Sequence, residues 1–267
     1  MIKIIALKKI FSLGTLNEHT ALDNISLNVQ EGDFITIIGS NGAGKSTLLN
    51  TIAGTTKPTS GKILLDEQDI TKLAEYKRAR FIGRIHQNPL MGTSGDMSIE
   101  QNMALCGRKG FRYLTRTLND ISRELYRQSL AELNMGLENR LQDRVSLLSG
   151  GQRQALTLLT TVMSNPRLLL LDEHTAALDP GNAEVIMALT EQLVREQNKT
   201  TIMVTHNMQQ AISYGNRLIM MDKGRIVLDI SGQEKASLTV TQLVDRFRAM
   251  HSTLAENDEV VLNKLAS

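Results

Sequence analysis

Short apolar, β-branched runs recur at Phe34 to Ile38, Leu168 to Leu171, Thr201 to Thr205 and Arg217 to Met221. They have the length of buried strands. Between the later ones lies a helical pattern, Ala183 to Arg195, with Val185, Ile186, Leu189 and Leu193 on one face. Met1 to Lys9 is apolar but broken by Lys3, Lys8 and Lys9, and it lacks the ordered basic, apolar and small-residue regions of a secretory signal. It reads as a first strand. Strands alternating with helices predict an α/β fold around a largely parallel, doubly wound sheet.

The middle of the chain, from about Asn88 to Met163, breaks this alternation. Apolar residues at helical spacing (Ile121, Leu125, Leu130, Leu133) and little that resembles a strand predict an inserted helical lobe. Ser98 followed by Gln101 offers a capping box for one of its helices. After about Ser237 the tail reads as one or two short helices with a polar end. No repeat of 20 to 50 residues and no low-complexity linker divides the chain.

Composition adds limits. The 267 residues, 41% hydrophobic and 22% charged, describe an ordinary globular protein large enough to bury a core. Thirty basic and 28 acidic side chains leave a formal charge of +2, so no nucleic-acid partner is implied. The single cysteine, Cys106, excludes an internal disulfide and a cysteine-based zinc cluster and agrees with the cytosol. No stretch approaches the roughly 18 to 20 apolar residues that cross a bilayer. Between Arg108 and Arg127, Arg108, Lys109, Arg112, Arg116, Arg123 and Arg127 outnumber Asp120 and Glu124. This segment reads as a solvated helix face, with contact to a partner or to lipid headgroups as the alternative.

The chemistry begins at Gly39, Ser40, Asn41, Gly42, Ala43, Gly44, Lys45, Ser46 and Thr47, between an expected strand and an apolar helix carrying Leu48, Leu49 and Ile52. A G-x-x-x-x-G-K-S loop needs its glycines so that backbone amides can approach phosphate oxygens, and the helix N-terminus adds a favourable dipole. The loop predicts a triphosphate cradle, with Lys45 reaching the β- and γ-phosphates and Ser46 a Mg²⁺ ligand. Asp172 and Glu173 close the apolar run Leu168 to Leu171. Asp172 is expected to help hold Mg²⁺ and Glu173 to orient or deprotonate the attacking water, strand alternation sending the two carboxylates to different sides.

At Leu148, Ser149, Gly150, Gly151 and Gln152 the sequence resembles the ATP-binding cassette (ABC) family, over nearly the whole chain and with the family's motifs in order. The remaining ones are Gln87 at the join to the helical lobe, the stretch Ala176 to Asp179, and His206 after the strand Thr201 to Thr205. The resemblance implies a P-loop NTPase of ABC type, mostly parallel in its core sheet, with an antiparallel β subdomain and the helical lobe as an insertion. Residues 1–87 and 164–235 would form the core, 88–163 the lobe and 236–267 a short helical tail. Ser149, Gly150 and Gly151 precede the apolar helix Ala155 to Val162, an anion site in its own right. In the resembled family this site faces the γ-phosphate on the opposite subunit, implying a head-to-tail pair with two ATP molecules between. The resemblance assigns Gln87 to Mg²⁺ and the attacking water, His206 to the γ-phosphate and Glu173, and Asp179 to the link between the two nucleotide sites. Asp179 is also placed to cap a helix beginning near Pro180. Phe11 is the candidate for stacking on adenine, with a core phenylalanine as the alternative.

Three positions depart from the usual pattern: His174 follows the glutamate where proline is common, Ala176 replaces a serine, and Leu158 stands where arginine is common. Loss of the serine hydroxyl removes one possible hydrogen bond, worth about 0.5 to 1.5 kcal/mol, so a changed rate is expected. The stretches Asp172 to Pro180 and Val204 to Met208 resemble a bacterial group of importer ATPases associated with tryptophan, tyrosine or related small solutes. That group implies a homodimeric ATPase on the cytoplasmic face of the inner membrane, an integral permease and an extracytoplasmic solute-binding protein. An exporter subunit is the nearest rival reading. A non-transport ABC ATPase on DNA or the ribosome is the other, but the chain has neither a long coiled coil nor a second cassette.

Overall fold

The computed structural model describes residues 1–106 and 118–249. In chain order its elements are β1 (Ile2–Phe11), β2 (His19–Val29), β3 (Phe34–Gly39), α1 (Lys45–Ala53), β4 (Ser60–Leu65), β5 (Gln68–Asp69), α2 (Glu75–Arg78) and β6 (Ile82–Ile85). There follow α3 (Ile99–Cys106), α4 (Asp120–Ala131), α5 (Gly150–Met163), β7 (Leu168–Asp172), α6 (Pro180–Glu196), β8 (Thr200–Val204), α7 (Met208–Ser213), β9 (Arg217–Asp222), β10 (Arg225–Ser231) and α8 (Gly232–Ala236).

Two sheets result. One is antiparallel, in the order β2-β1-β4-β5; the other runs β10-β9-β3-β8-β7-β6 and is parallel except for its β9–β10 edge. Both the mostly parallel core and the antiparallel subdomain match expectation. The larger sheet is covered on both faces, and the two-residue period of its strands divides the core. Ile35, Ile37, Leu168 and Leu170 face the antiparallel sheet and α1, where Leu48, Leu49 and Ile52 are fully buried. Leu169, Leu171 and Met203 face the helical lobe and α6. A third cluster, with Ile38, Leu218 and Met220, is closed by α7 and by Leu238 and Leu243 of the C-terminal segment.

Several expectations change in detail. Among the described residues between Asn88 and Met163 the main elements are the helices α3, α4 and α5, with the capping box at Ser98 and Gln101 present (Ser98 N to Gln101 Oε1 2.9 Å). Within α4, however, Ile121 and Leu125 are exposed; Leu130 and the following Leu133 are buried in the core, and Tyr126 packs partly against it. In α6 the buried face is Ile186, Met187, Leu189, Thr190, Leu193 and Val194; Val185 points outward. In each case the helical period is right, but the direction of the neighbouring element selects which stripe is covered. Leu158, in place of an arginine, is fully buried in the lobe core, so an apolar side chain fits there.

Of the basic segment, Arg108, Lys109, Arg112 and Arg116 lie outside the described residues. Arg123 pairs with Glu100 (2.8 Å) and Asp120 (3.4 Å), and Arg127 with Glu124 (3.6 Å). In the C-terminal segment α8 begins before Ser237, and residues 240–249 are helical. Among the described residues no helix is long and apolar enough to cross a membrane.

Candidate functional site at the phosphate loop

The C-terminal end of β3 turns into α1 through Gly39, Gly42 and Gly44, with φ values of 155°, 81° and 96°. A Cβ at Gly39 would strike the carbonyl of Met221, and one at Gly44 the carbonyl of Ala21, so at these two positions the close approach of backbone demands glycine. Helix α1 opens on Gly44 without a side-chain cap. Its first N–H groups and its dipole are therefore directed at the loop, the arrangement that binds anions.

Lys45 lies folded beneath the loop: its Nζ donates to the carbonyls of Gly39 and Ser40, each at 2.9 Å. This fixes a buried ammonium at the floor of the turn. A cavity of about 250 Å³ opens there, lined by Asn41 to Thr47 together with His19, Ala21 and Glu173. A larger cavity, of about 560 Å³, lies at the opposite end of the parallel strands, beside Phe81, Arg167 and Lys199. We place the chemistry in the smaller one, because the glycine turn, the helix N-terminus and the Glu173 carboxylate converge at the carboxyl ends of the strands.

Ser46 and Asp172 are brought together across the sheet, Ser46 Oγ donating to Asp172 Oδ1 at 3.3 Å. The other carboxylate oxygen, Oδ2, accepts from Arg84 Nη2 at 3.1 Å. Among the described residues no cluster of three or more His, Cys, Asp or Glu side chains forms a metal cage. A hard oxygen pair such as Ser46 and Asp172 fits Mg²⁺, which takes few protein ligands and completes its shell with water and substrate phosphate.

Glu173 does point away from Asp172, but strand alternation is not the cause. β7 ends at Asp172, and Glu173 adopts a left-handed φ of 47° that turns its side chain toward the cavity. Non-glycine residues held there cost of order 1–3 kcal/mol. The turn is pinned on both sides: Glu173 N donates to Val204 O (3.0 Å) and Glu173 O accepts from Ala176 N (2.9 Å). The next residue, His174, is fully buried, and its Nε2 is 3.0 Å from Thr190 Oγ1 of α6. Thr190 spends its own proton on Ile186 O (2.7 Å), so the histidine is the donor in this pair. Burial lowers the His174 pKa from 6.5 to about 4, which keeps the ring neutral.

His206 Nδ1 reaches within 3.6 Å of Glu173 Oε2 from the turn after β8. Gln87, two residues beyond β6, is exposed and has no hydrogen bond to Ser46 or Asp172. Phe11 ends β1 with 39% of its surface exposed, which removes the core alternative. It sits opposite His19 in the β1–β2 pair, so a flat aromatic face stands next to a residue that lines the cavity. Lys9 Nζ lies over that ring at 4.8 Å.

The signature segment stands apart from the cavity. Ser149 Oγ accepts from Gln152 N (3.2 Å) and Gln152 Oε1 accepts from Ser149 N (3.3 Å), a reciprocal cap at the start of α5. The Gln152 side chain also contacts Met135 O and Arg140, so it braces the lobe. Ser149 keeps its hydroxyl proton, and Gly150 and Gly151 leave the helix end unobstructed. Asp179 caps α6 by accepting from Asn182 N (3.1 Å) and Nδ2 (2.6 Å), and these bonds hold its carboxyl below the usual range. A Cβ on Gly151 would press on Asn182, so the two caps sit side by side. None of Ser149, Gly150, Gly151, Gln152 or Asp179 lines the cavity over the phosphate loop.

Two residues escaped sequence reasoning. Arg84 left a signal, as a charged residue between the buried Ile82 and Ile85 of a strand. His19 left none, because its place depends on the pairing with Phe11.

Residues 22–176 match the ABC transporter family profile. Along 255 residues the chain is 44% identical to a tyrosine transport ATP-binding protein of Clostridioides difficile, covering 92% of this chain and 98% of that one. It is 32% identical over 262 residues to a methionine import ATP-binding protein of Mannheimia succiniciproducens, covering 96% and 72% of the two chains. Among solved structures it resembles the ATP-binding cassette MJ0796 in a dimeric post-hydrolysis state bound to ADP and phosphate. The TM-score is 0.73 at 29% identity, across 86% of this chain and 98% of that one. With a family profile matched over more than half its length and relatives aligned almost end to end, the chain belongs to the ABC transporter family and is one of its ATP-hydrolysing cassettes.

Proposed function

We propose that this cassette powers uptake of a small solute, an amino acid of the tyrosine class, through a separate integral permease fed by an extracytoplasmic solute-binding protein. The near full-length similarity to a tyrosine transport ATP-binding protein supports the cargo class. In this reading the cassette works on the cytoplasmic face of the inner membrane. Residues 1–87 and 164–235 act as the nucleotide-binding core, 88–163 as the lobe that moves the permease, and 236–267 as the tail.

One observation carries the mechanism: the two anion-ready helix ends, at Gly44 and at Ser149, do not share a cavity. Each chain then offers two half-sites, and a second copy placed head to tail completes both. Gly39 to Thr47 of one protomer cradle the triphosphate, Lys45 neutralises it, and Phe11 stacks on the base. Ser149, Gly150 and Gly151 of the partner close the γ-phosphate, with Gln152 bracing that helix end and Asp179 joining the two sites. Ser46, Asp172 and Gln87 would hold Mg²⁺, which when bound offsets phosphate charge. Glu173 orients the attacking water and accepts its proton, and His206 steadies Glu173 and the γ-phosphate. Closure on ATP draws the two lobes together, and hydrolysis lets them part.

The test is reconstitution with the co-expressed permease in liposomes. ATPase activity stimulated by the tyrosine-loaded binding protein, together with inward flux of tyrosine, is the expected result. Outward flux, or stimulation by nucleic acid in place of the permease, would overturn the reading.

A further inference from the structure

Arg84 plays no part in the reaction as described, yet it touches the carboxylate on the metal side of the site. The parallel register sets Arg84 beside Leu170, two residues short of Asp172, and the side chain reaches forward to Asp172 Oδ2 at 3.1 Å. Its other contact is long, Nη1 to Thr55 Oγ1 at 3.5 Å, and its Nε is buried without a partner among the described residues.

Arg78 of the same protein shows how an arginine is held when its task is structural. Its Nε donates to Leu73 O (3.0 Å), Nη1 to Thr51 O (2.8 Å) and Ile52 O (2.7 Å), and Nη2 to Thr71 O (2.8 Å). Arg84 is instead held by one short bond, and that bond is to a charge. With Oδ1 turned to Ser46 and Oδ2 to Arg84, Asp172 divides its charge between the position expected for a divalent cation and a guanidinium. Two cations beside one carboxylate compete for it.

We infer that Arg84 is a positioning residue that sets the Mg²⁺ affinity of the cassette: it neutralises Asp172 while the metal is absent and gives up part of that carboxylate when the metal arrives with nucleotide. The inference rests on the reading of Asp172 as a metal-side ligand. A cassette so arranged meets metal-free nucleotide with one negative charge cancelled, and binds the metal less tightly than the bare carboxylate would.

The experiment measures binding, not turnover. AMP-PNP affinity is determined by calorimetry in EDTA, and the Mg²⁺ concentration for half-saturation is then determined on the nucleotide-bound full chain. Arg84→Gln is expected to lower the Mg²⁺ half-saturation by about tenfold and to weaken metal-free AMP-PNP binding several-fold, opposite directions that loss of a structural contact does not produce. Asp172→Asn raises the Mg²⁺ half-saturation, and adding Arg84→Gln to it has no further effect. Arg84→Lys keeps the charge and guards against loss of the fold; a half-saturation near that of the wild type supports the inference, and one as low as that of the glutamine variant overturns it. An unchanged half-saturation in Arg84→Gln, with Asp172→Asn weakened, overturns the inference and leaves the role of Asp172 standing. No effect of Asp172→Asn would overturn that role and the inference with it.

Discussion

His206 Nδ1 stands 3.6 Å from Glu173 Oε2, too far for a hydrogen bond and near enough for a small side-chain movement to make one. The two residues come from different strand ends, β7 and β8, and meet because Glu173 N is bonded to Val204 O, two residues before His206. General-base contacts in nucleotide-free enzymes are commonly loose in this way and tighten with substrate. Glu173→Gln is therefore expected to keep ATP binding, lower turnover by about 10²- to 10⁴-fold and accumulate an ATP-bound dimer. Phosphate release assays with size-exclusion chromatography check this, and wild-type turnover would remove Glu173 from its role.

Lys45 places its ammonium against two loop carbonyls beneath the cavity. Charge-assisted hydrogen bonds contribute about 1.5–3 kcal/mol, so Lys45→Ala is expected to weaken nucleotide binding by about 10- to 100-fold. Titration with a fluorescent ATP analogue reads the loss; unchanged affinity would contradict the cradle.

Ser149 has two separable tasks. As the cap of α5 its hydroxyl supports the fold, and Ser149→Ala should destabilise the chain by about 1 kcal/mol, seen in chemical denaturation. In the proposed head-to-tail pair it would also face the partner's nucleotide and so support turnover but not binding to the isolated chain. Nucleotide affinity of the dilute protein should stay at the wild-type value while ATPase activity falls. Full activity in that variant would deny the shared site.

His174 makes folding stability depend on pH. Its folded pKa of about 4 lies below the ordinary 6.5, so the unfolded chain binds the proton more readily than the folded one. The stability it contributes is complete above pH 6.5 and declines as the pH falls from there toward 4, by about 3 kcal/mol in all. His86, lowered mainly by burial, pulls in the same direction. Urea denaturation across that window, compared between wild type and His174→Gln, should give a shallower loss in the variant; parallel curves would refute the assignment.

Much of this molecule was legible because its parts are local. The phosphate loop, the acidic strand end and the capping box at Ser98 depend on residues within a few positions of each other, where spacing alone dictates geometry. The apolar runs of β3 and β7 were equally plain, since strands buried on both faces carry no polar alternation to confuse the pattern. Which side of a helix is covered was not local. Ile121, Leu125 and Val185 carry the right period and face outward because only the packed neighbour selects the stripe.

The sequence alone carried the resemblance to the cassette family through its ordered motifs, and it carried the glycine-rich turn between β3 and α1, since that turn is a short-range requirement of backbone geometry on residue type. The tertiary structure decided what depends on long-range contact: that Phe11 is exposed opposite His19, that Glu173 is turned by a left-handed residue rather than by strand pleat, and that Arg84 meets Asp172. Such meetings are set by strand register and by charges brought together from 88 positions apart, and no local pattern encodes them.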